Sequence, residues 1–214
     1  MTYMTPARDI RTLDQRAVRA SVDIASAITH RDLARPTPCA GWTLADLLAH
    51  MTAQHRGFTA AAIGWGGDPA RWALSPATST TPVYDYATAA DAVLVAFAAD
   101  DVLRRGFTLA ELSSTAAFPA PIAIGFHFID YLVHTWDVAA SLGRRWEPDA
   151  DLLEPALAIT LAVPNGPERS GPGAAFAPGT DPDPEAAAFD RILRLLGRDP
   201  AWSTARVTTQ PGAL

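Results

Sequence analysis

The sequence contains no lysine: all 17 of its basic residues are arginine. That absence excludes Schiff-base and lysine-nucleophile chemistry. Cysteine is nearly as scarce, and the single Cys39 rules out an internal disulfide and a cysteine-rich zinc site, so any metal must be held by histidine and carboxylate. No run approaches the roughly 18 unbroken apolar residues of a membrane span. The stretch MTYMTPARDIRTLDQR at the start lacks the apolar core of a signal peptide. No run of arginine exceeds two, and the net charge is −6 with a pI near 5.2, which disfavours nucleic acid and anionic membranes as partners. The expectation is a soluble, cytoplasmic protein with no nucleic acid and no membrane among its partners.

What is present is a helical pattern. The 214 residues, 49% hydrophobic and 19% charged, suit one globular domain with a sizeable core. Over about residues 9–28, Ile10, Leu13, Ala17, Val18, Ser21, Ile24 and Ile28 recur at helical spacing, with Arg and Asp filling the other face. A second helix is expected over about 44–64: Thr43 with Asp46 forms a capping-box pattern, and Trp42 with Leu47 fits a hydrophobic staple. The Gly, Pro, Ser and Thr-rich segment 66–85 reads as a long loop over a cleft, where Trp65, Trp72 and Tyr84 either line a mouth or pack as ordinary core. A third helix covers about 85–103, and residues 107–121 stay ambiguous between extended chain and a helical turn. A fourth, 121–142, is apolar nearly all round and stops at Gly143, as a central helix would. Further helices are expected at about 149–163 and 184–196. The fold class is therefore all-α, a helical bundle over residues 1–143 with a helical C-terminal extension, 144–214, packed on the same domain.

The chemistry-bearing residues sit where burial is most costly. In FHFIDYLVHTWDVA, residues 126–139, His127, Asp130 and His134 share an arc of about 60° on one helix face. Buried unsatisfied, each costs several kcal/mol. One reading is a hydrogen-bonded His134–Asp130 pair at i, i+4 with His127 partly exposed; the other is a metal site of two histidines and a carboxylate. The third ligand would come from the second helix, where His50 and His55 point about 140° apart, so one site cannot easily use both. Periodicity leaves that choice open. Asp137 is read as a plain salt-bridge residue or as a partner orienting His134. Cys39, in a Pro-flanked loop, reads as a small packer rather than a nucleophile. Arg104 with Arg105 and Arg144 with Arg145 follow helix ends, where they suit the dipole, or else bind a substrate carboxylate.

The motifs PTPCAGWTLADLLAHM, DYLVHTWDVAASLG and FDRILRLLGRDPAW together resemble the actinobacterial branch of the DinB-like superfamily that includes mycothiol-dependent maleylpyruvate isomerase. The resemblance spans nearly the whole chain. It implies a DinB-like four-helix bundle holding a divalent metal, zinc or nickel, through one histidine of the second helix and an acid and a histidine of the fourth: His50, Asp130 and His134. The isomerase carries Glu where this chain has the shorter Asp130, and His127 stands as the additional ligand. The activity implied is that of a thiol transferase or thiol-dependent isomerase in which the ion activates a small thiol, such as mycothiol, or water and polarises a substrate carbonyl. A non-catalytic bundle that keeps a metal or small-molecule site is the alternative. The tail after Gly143 reads as two helices and loops, without the mixed α/β unit of the isomerase. A homodimer is left open.

Overall fold

A computed structural model describes residues 9–74, 81–171, 176–180 and 183–204. Six helices follow in order: α1 Ile10–Ala25, α2 Leu44–Ala62, α3 Pro82–Phe97, α4 Ala120–Ser141, α5 Ala150–Ala162 and α6 Ala188–Leu195. Between α3 and α4 lies an antiparallel hairpin, β1 Gly106–Leu109 and β2 Ser113–Pro119. The fold is mostly helical, as expected, with one two-stranded ribbon added among the described residues, and the ambiguous stretch 107–121 is largely extended. Pairing runs Phe107 against Phe118 and Thr108 against Ala117, then slips at a bulge between Thr108 and Leu109. No helix among the described residues is long and apolar enough to cross a membrane.

Local chemistry sets the helix ends. The Thr43 side chain accepts from the Asp46 amide while the Asp46 carboxylate accepts from the Thr43 amide, so the expected capping box starts α2. Asp9 caps α1 without a reciprocal partner, accepting from the Arg11 amide at 3.0 Å. Gly143 follows α4 with φ of 69°, as the sequence predicts for its stop. The sixth helix begins at Ala188 rather than near residue 184.

α1 packs chiefly against α4 and α2 chiefly against α3, with α1–α3 and α2–α4 contacts joining the two pairs. α5 lies against α4 and α6. One apolar cluster combines Leu13, Val18, Leu48, Met51, Leu132 and Val138 with Leu152 of α5 and Ile192 of α6. A second gathers Phe58, Trp72, Phe97, Phe107 and Ile124 under the hairpin. Trp72 packs so closely on α2 that a β-carbon at Gly57 would come within 2.2 Å of its ring, so this position has room only for hydrogen. Trp72 is therefore core, and its indole N–H donates to the Gly66 carbonyl at 2.8 Å, whereas Trp65 and Tyr84 are exposed. Of the expected loop over a cleft, residues 75–80 lie outside the described residues.

Candidate metal centre

α4 carries a polar seam along one side of an otherwise apolar helix: His127, Asp130, His134 and Asp137, at spacings of three or four residues. Different elements meet this seam at different heights. The result is three adjoining clusters.

At the inner end, His127 is fully buried between the two apolar clusters, ringed by Phe58, Phe97 and Tyr131. Its Nδ1 lies 2.6 Å from Asp14 Oδ1 and its Nε2 lies 3.1 Å from His55 Nδ1. Both ring nitrogens are therefore engaged by side chains of α1 and α2. The expectation that His127 is partly exposed is corrected: its exposure is 0%. Asp14, one of the Asp residues expected on the outer face of α1, is also wholly buried. His55 stacks on Tyr131 with ring centroids 3.9 Å apart, and burial drives its pKa well below the ordinary histidine value. Burial likewise raises the Asp14 carboxyl, against the pull of His127.

In the middle, His50 of α2 meets Asp130 and His134 of α4. One potential ligand atom from each lies within 4.8 Å of the other two. His134 Nε2 stands 3.4 Å from Asp130 Oδ1 as an ion pair, and both His134 Nε2 and Asp130 Oδ2 are buried without a hydrogen-bond partner. Two orphaned polar atoms facing a third donor make the arrangement fit a divalent cation, since two imidazoles and a carboxylate are a recurrent ligand set. His50 sits under Trp42, ring centroids 5.0 Å apart, and edge-on to His134 at 5.4 Å. Burial and the charge of His134 lower the His50 pKa to about 4, so its imidazole is neutral and able to ligate near neutral pH. Burial opposes charge on His134, but Asp130 and Asp137 outweigh it and hold that pKa well above the usual value. Burial also opposes the Asp130 charge; His134 and His50 nevertheless leave its pKa lowered. Close by, Gln54, one turn beyond His50, donates to Glu111 of the hairpin turn at 2.7 Å. Burial raises the Glu111 pKa, and the Asp130 charge adds to the rise.

At the outer end, Asp137 is a buried hub. Its Oδ2 is 2.9 Å from His134 Nδ1 and accepts from Arg198 Nη2 at 2.9 Å; the Cys39 thiol donates to it at 3.4 Å. Asp137 thus combines the two roles open to it in the sequence, pairing with an arginine and orienting His134. Sequence reasoning missed Asp14 and Arg198. Asp14 had a signal, because position 14 lies four residues from both Ile10 and Val18 on the buried stripe of α1. Arg198 had none, since nothing local to GRDP says that the side chain reaches α4. Of the arginine pairs, Arg105 binds Asp101 and the Ala62 carbonyl, and the exposed Arg145 approaches Glu147.

Residues 15–139 match the family described as the mycothiol maleylpyruvate isomerase N-terminal domain. Two curated relatives, both called uncharacterized proteins and both from Mycobacterium tuberculosis, are 30% identical over 188 residues, covering 86% of this chain and 94% of theirs. Among solved structures, the crystal structure of the mycothiol-dependent maleylpyruvate isomerase aligns with a TM-score of 0.56 at 15% identity, over 76% of this chain and 71% of that one. A histidine-to-alanine mutant of that isomerase gives 0.57 at 14% over the same shares. At such identities the likeness establishes a shared fold.

Proposed function

The chain belongs to the mycothiol maleylpyruvate isomerase N-terminal domain family, and from that membership we propose that it is a metal-dependent enzyme of thiol chemistry, a thiol-dependent isomerase or thiol transferase acting on a small carbonyl substrate. The observation that carries the metal is the convergence of His50, Asp130 and His134 with two unpartnered buried atoms among them. These three side chains would hold a divalent ion, zinc or nickel, which would supply Lewis acidity to lower the pKa of a thiol such as mycothiol and to polarise a carbonyl.

The protein's own groups have separable tasks. Asp137 accepts the Nδ1 proton of His134 and so leaves Nε2 as the ligating nitrogen. Trp42 covers His50 and narrows solvent access to it. Gln54 steadies Glu111 of the hairpin turn on the side of α2 that carries His50. His127 takes no ligand role in this reading, because Asp14 and His55 occupy both of its nitrogens. Residues 1–143 are read as the DinB-like four-helix bundle and 144–214 as a helical extension of the same domain, supported by the shared core of Leu132, Leu152 and Ile192.

The test is elemental analysis of protein reconstituted with zinc or nickel, followed by assay with mycothiol and maleylpyruvate, with other thiols and unsaturated keto acids as comparison. One ion per chain, lost in His50→Ala, and thiol-dependent turnover are expected. No stoichiometric ion in wild type would sink the metal reading; a bound ion with no turnover on any pair would favour a binding bundle.

A further inference from the structure

We propose that Arg198 is a positioning residue for the candidate metal centre, acting through Asp137 on His134, so that the C-terminal segment sets the geometry of a ligand on α4. The inference rests on the metal reading above and deepens it. Arg198 lies far beyond residue 139, where the family match ends, and the α5–α6 region that carries it packs on the bundle without contributing any of the three candidate ligands.

The chain of contacts is continuous. Gly197, with φ of 76°, turns the backbone out of α6 and sends Arg198 back toward α4. Arg198 is 7% exposed, and its guanidinium grips both oxygens of Asp137: Nη2 donates to Oδ2 at 2.9 Å and Nε approaches Oδ1 at 3.4 Å. Nη1 donates to the Leu196 carbonyl at 2.8 Å, and Nη2 also reaches the Cys39 sulfur at 3.3 Å. Held on three sides, the guanidinium cannot turn, and a planar fork fixes the plane of the carboxylate it binds. The Asp137 oxygen that accepts from Arg198 is the same one that holds His134 Nδ1. The carboxylate plane that Arg198 fixes therefore sets which way the imidazole faces. With Nδ1 held, Nε2 can only point toward His50 and Asp130.

A carboxylate tethered by arginine differs from a free one in what it does for a ligating imidazole. Partners of this kind typically change metal affinity by about 10 to 100-fold when removed. Without Arg198, Asp137 would be an uncompensated buried charge whose carboxylate plane is no longer fixed. Its rotation releases Nδ1.

Four variants separate positioning from bulk stability: Arg198→Lys keeps the charge and loses the fork, Arg198→Met loses both, Asp137→Asn removes the buried charge, and Arg198→Met with Asp137→Asn removes the charge together with its partner. Each is checked for fold by circular dichroism and titrated with zinc against a chelating indicator. Arg198→Lys and Arg198→Met are expected to weaken zinc by about 10 to 100-fold, and the double variant to be no weaker than Asp137→Asn alone. A second readout uses metal-free protein labelled with nitrogen-15 on its histidines. Wild type should show an exchange-protected Nδ1 proton on His134, and Arg198→Lys should lose that protection while staying folded. Unchanged zinc affinity and an unchanged His134 signal in a folded Arg198→Lys protein would overturn the proposal. Wild type that binds no zinc, yet loses the His134 signal in Arg198→Lys, would overturn the metal reading and leave the positioning intact.

Discussion

Two histidine clusters on the same face of α4 use the same residue types, one wholly buried and the other partly so, and differ in how their atoms are used. Around His127, Asp14 and His55 form a linear chain from α1 through α4 to α2, and each link consumes a donor and an acceptor. Its leftover atoms, Asp14 Oδ2 and His55 Nε2, belong to the two ends of that chain. Around His134, by contrast, one nitrogen is tied down by Asp137 while the other faces Asp130 and His50 within 4.8 Å. Unsatisfied atoms that converge describe a ligand site; unsatisfied atoms at opposite ends describe a core network with loose ends. A buried histidine is thus diagnosed by where its second nitrogen points.

The comparison breaks most visibly through stability. His127→Leu should cost about 3–5 kcal/mol, because it strands the Asp14 carboxylate in the core. In protein that still folds, one zinc per chain should remain. His50→Gln should do the reverse, costing less than about 1 kcal/mol in metal-free protein as a partly exposed site while abolishing stoichiometric zinc. Urea denaturation with a chelator, paired with elemental analysis, checks both. Equal losses of stability in the two variants would erase the distinction drawn between the clusters.

Added metal sharpens it. An ion that binds only the folded state stabilises by about 2.7 kcal/mol at 100 times its dissociation constant. Wild type and His55→Gln should show that gain, and Asp130→Ala should not. A gain of equal size in Asp130→Ala would move the ion to the neighbouring group of Cys39, His134 and Asp137, which also brings ligand atoms within 4.8 Å.

The clusters should also answer to pH with opposite sign. Burial depresses the folded pKa of His55, so its share of stability is complete above about pH 6.5 and is lost as pH falls toward the folded value. In metal-free protein, Asp130 and Asp137 raise the folded pKa of His134, so its share is complete below about pH 6.5 and is lost as pH rises through the folded value. Urea midpoints from pH 5 to 9 with a chelator should show His55→Phe flattening the acid limb and His134→Gln the alkaline one. The same limb flattened by both would contradict the assigned environments.

The sequence makes helix ends legible because caps are local: Thr43 with Asp46, and Gly143, state their role within four residues. The hairpin was not legible, because SSTAAFPAP lacks the alternation of a half-buried strand and its pairing slips at a bulge. For the site, the shared face of His127, Asp130 and His134 follows from helical spacing, yet the choice of His50 over His55 came from resemblance. Periodicity could not make it, since His55 lies deeper in the α2 stripe than His50 does. The Arg198–Asp137 contact joins residues 61 positions apart, and only the packing of α5 and α6 brings them together.

The smallest effect comes from α2, which carries one histidine of each cluster. Thr43→Ala removes the hydroxyl that accepts from the Asp46 amide and leaves the Asp46 carboxylate, whose pKa the Thr43 hydroxyl and amide lower, with the amide alone. The cost should be about 1 kcal/mol. His50 lies seven residues from the cap and His55 twelve, so fraying of the first turn reaches His50 first. Hydrogen exchange should therefore quicken most at Leu47 to His50 and little at His55. Zinc affinity should fall less than tenfold, while the His55–His127 pair, read from its ring-nitrogen shifts, stays unchanged. Were His55 exchange to quicken as much as that at His50, α2 would open as one unit and the two clusters would be coupled through it.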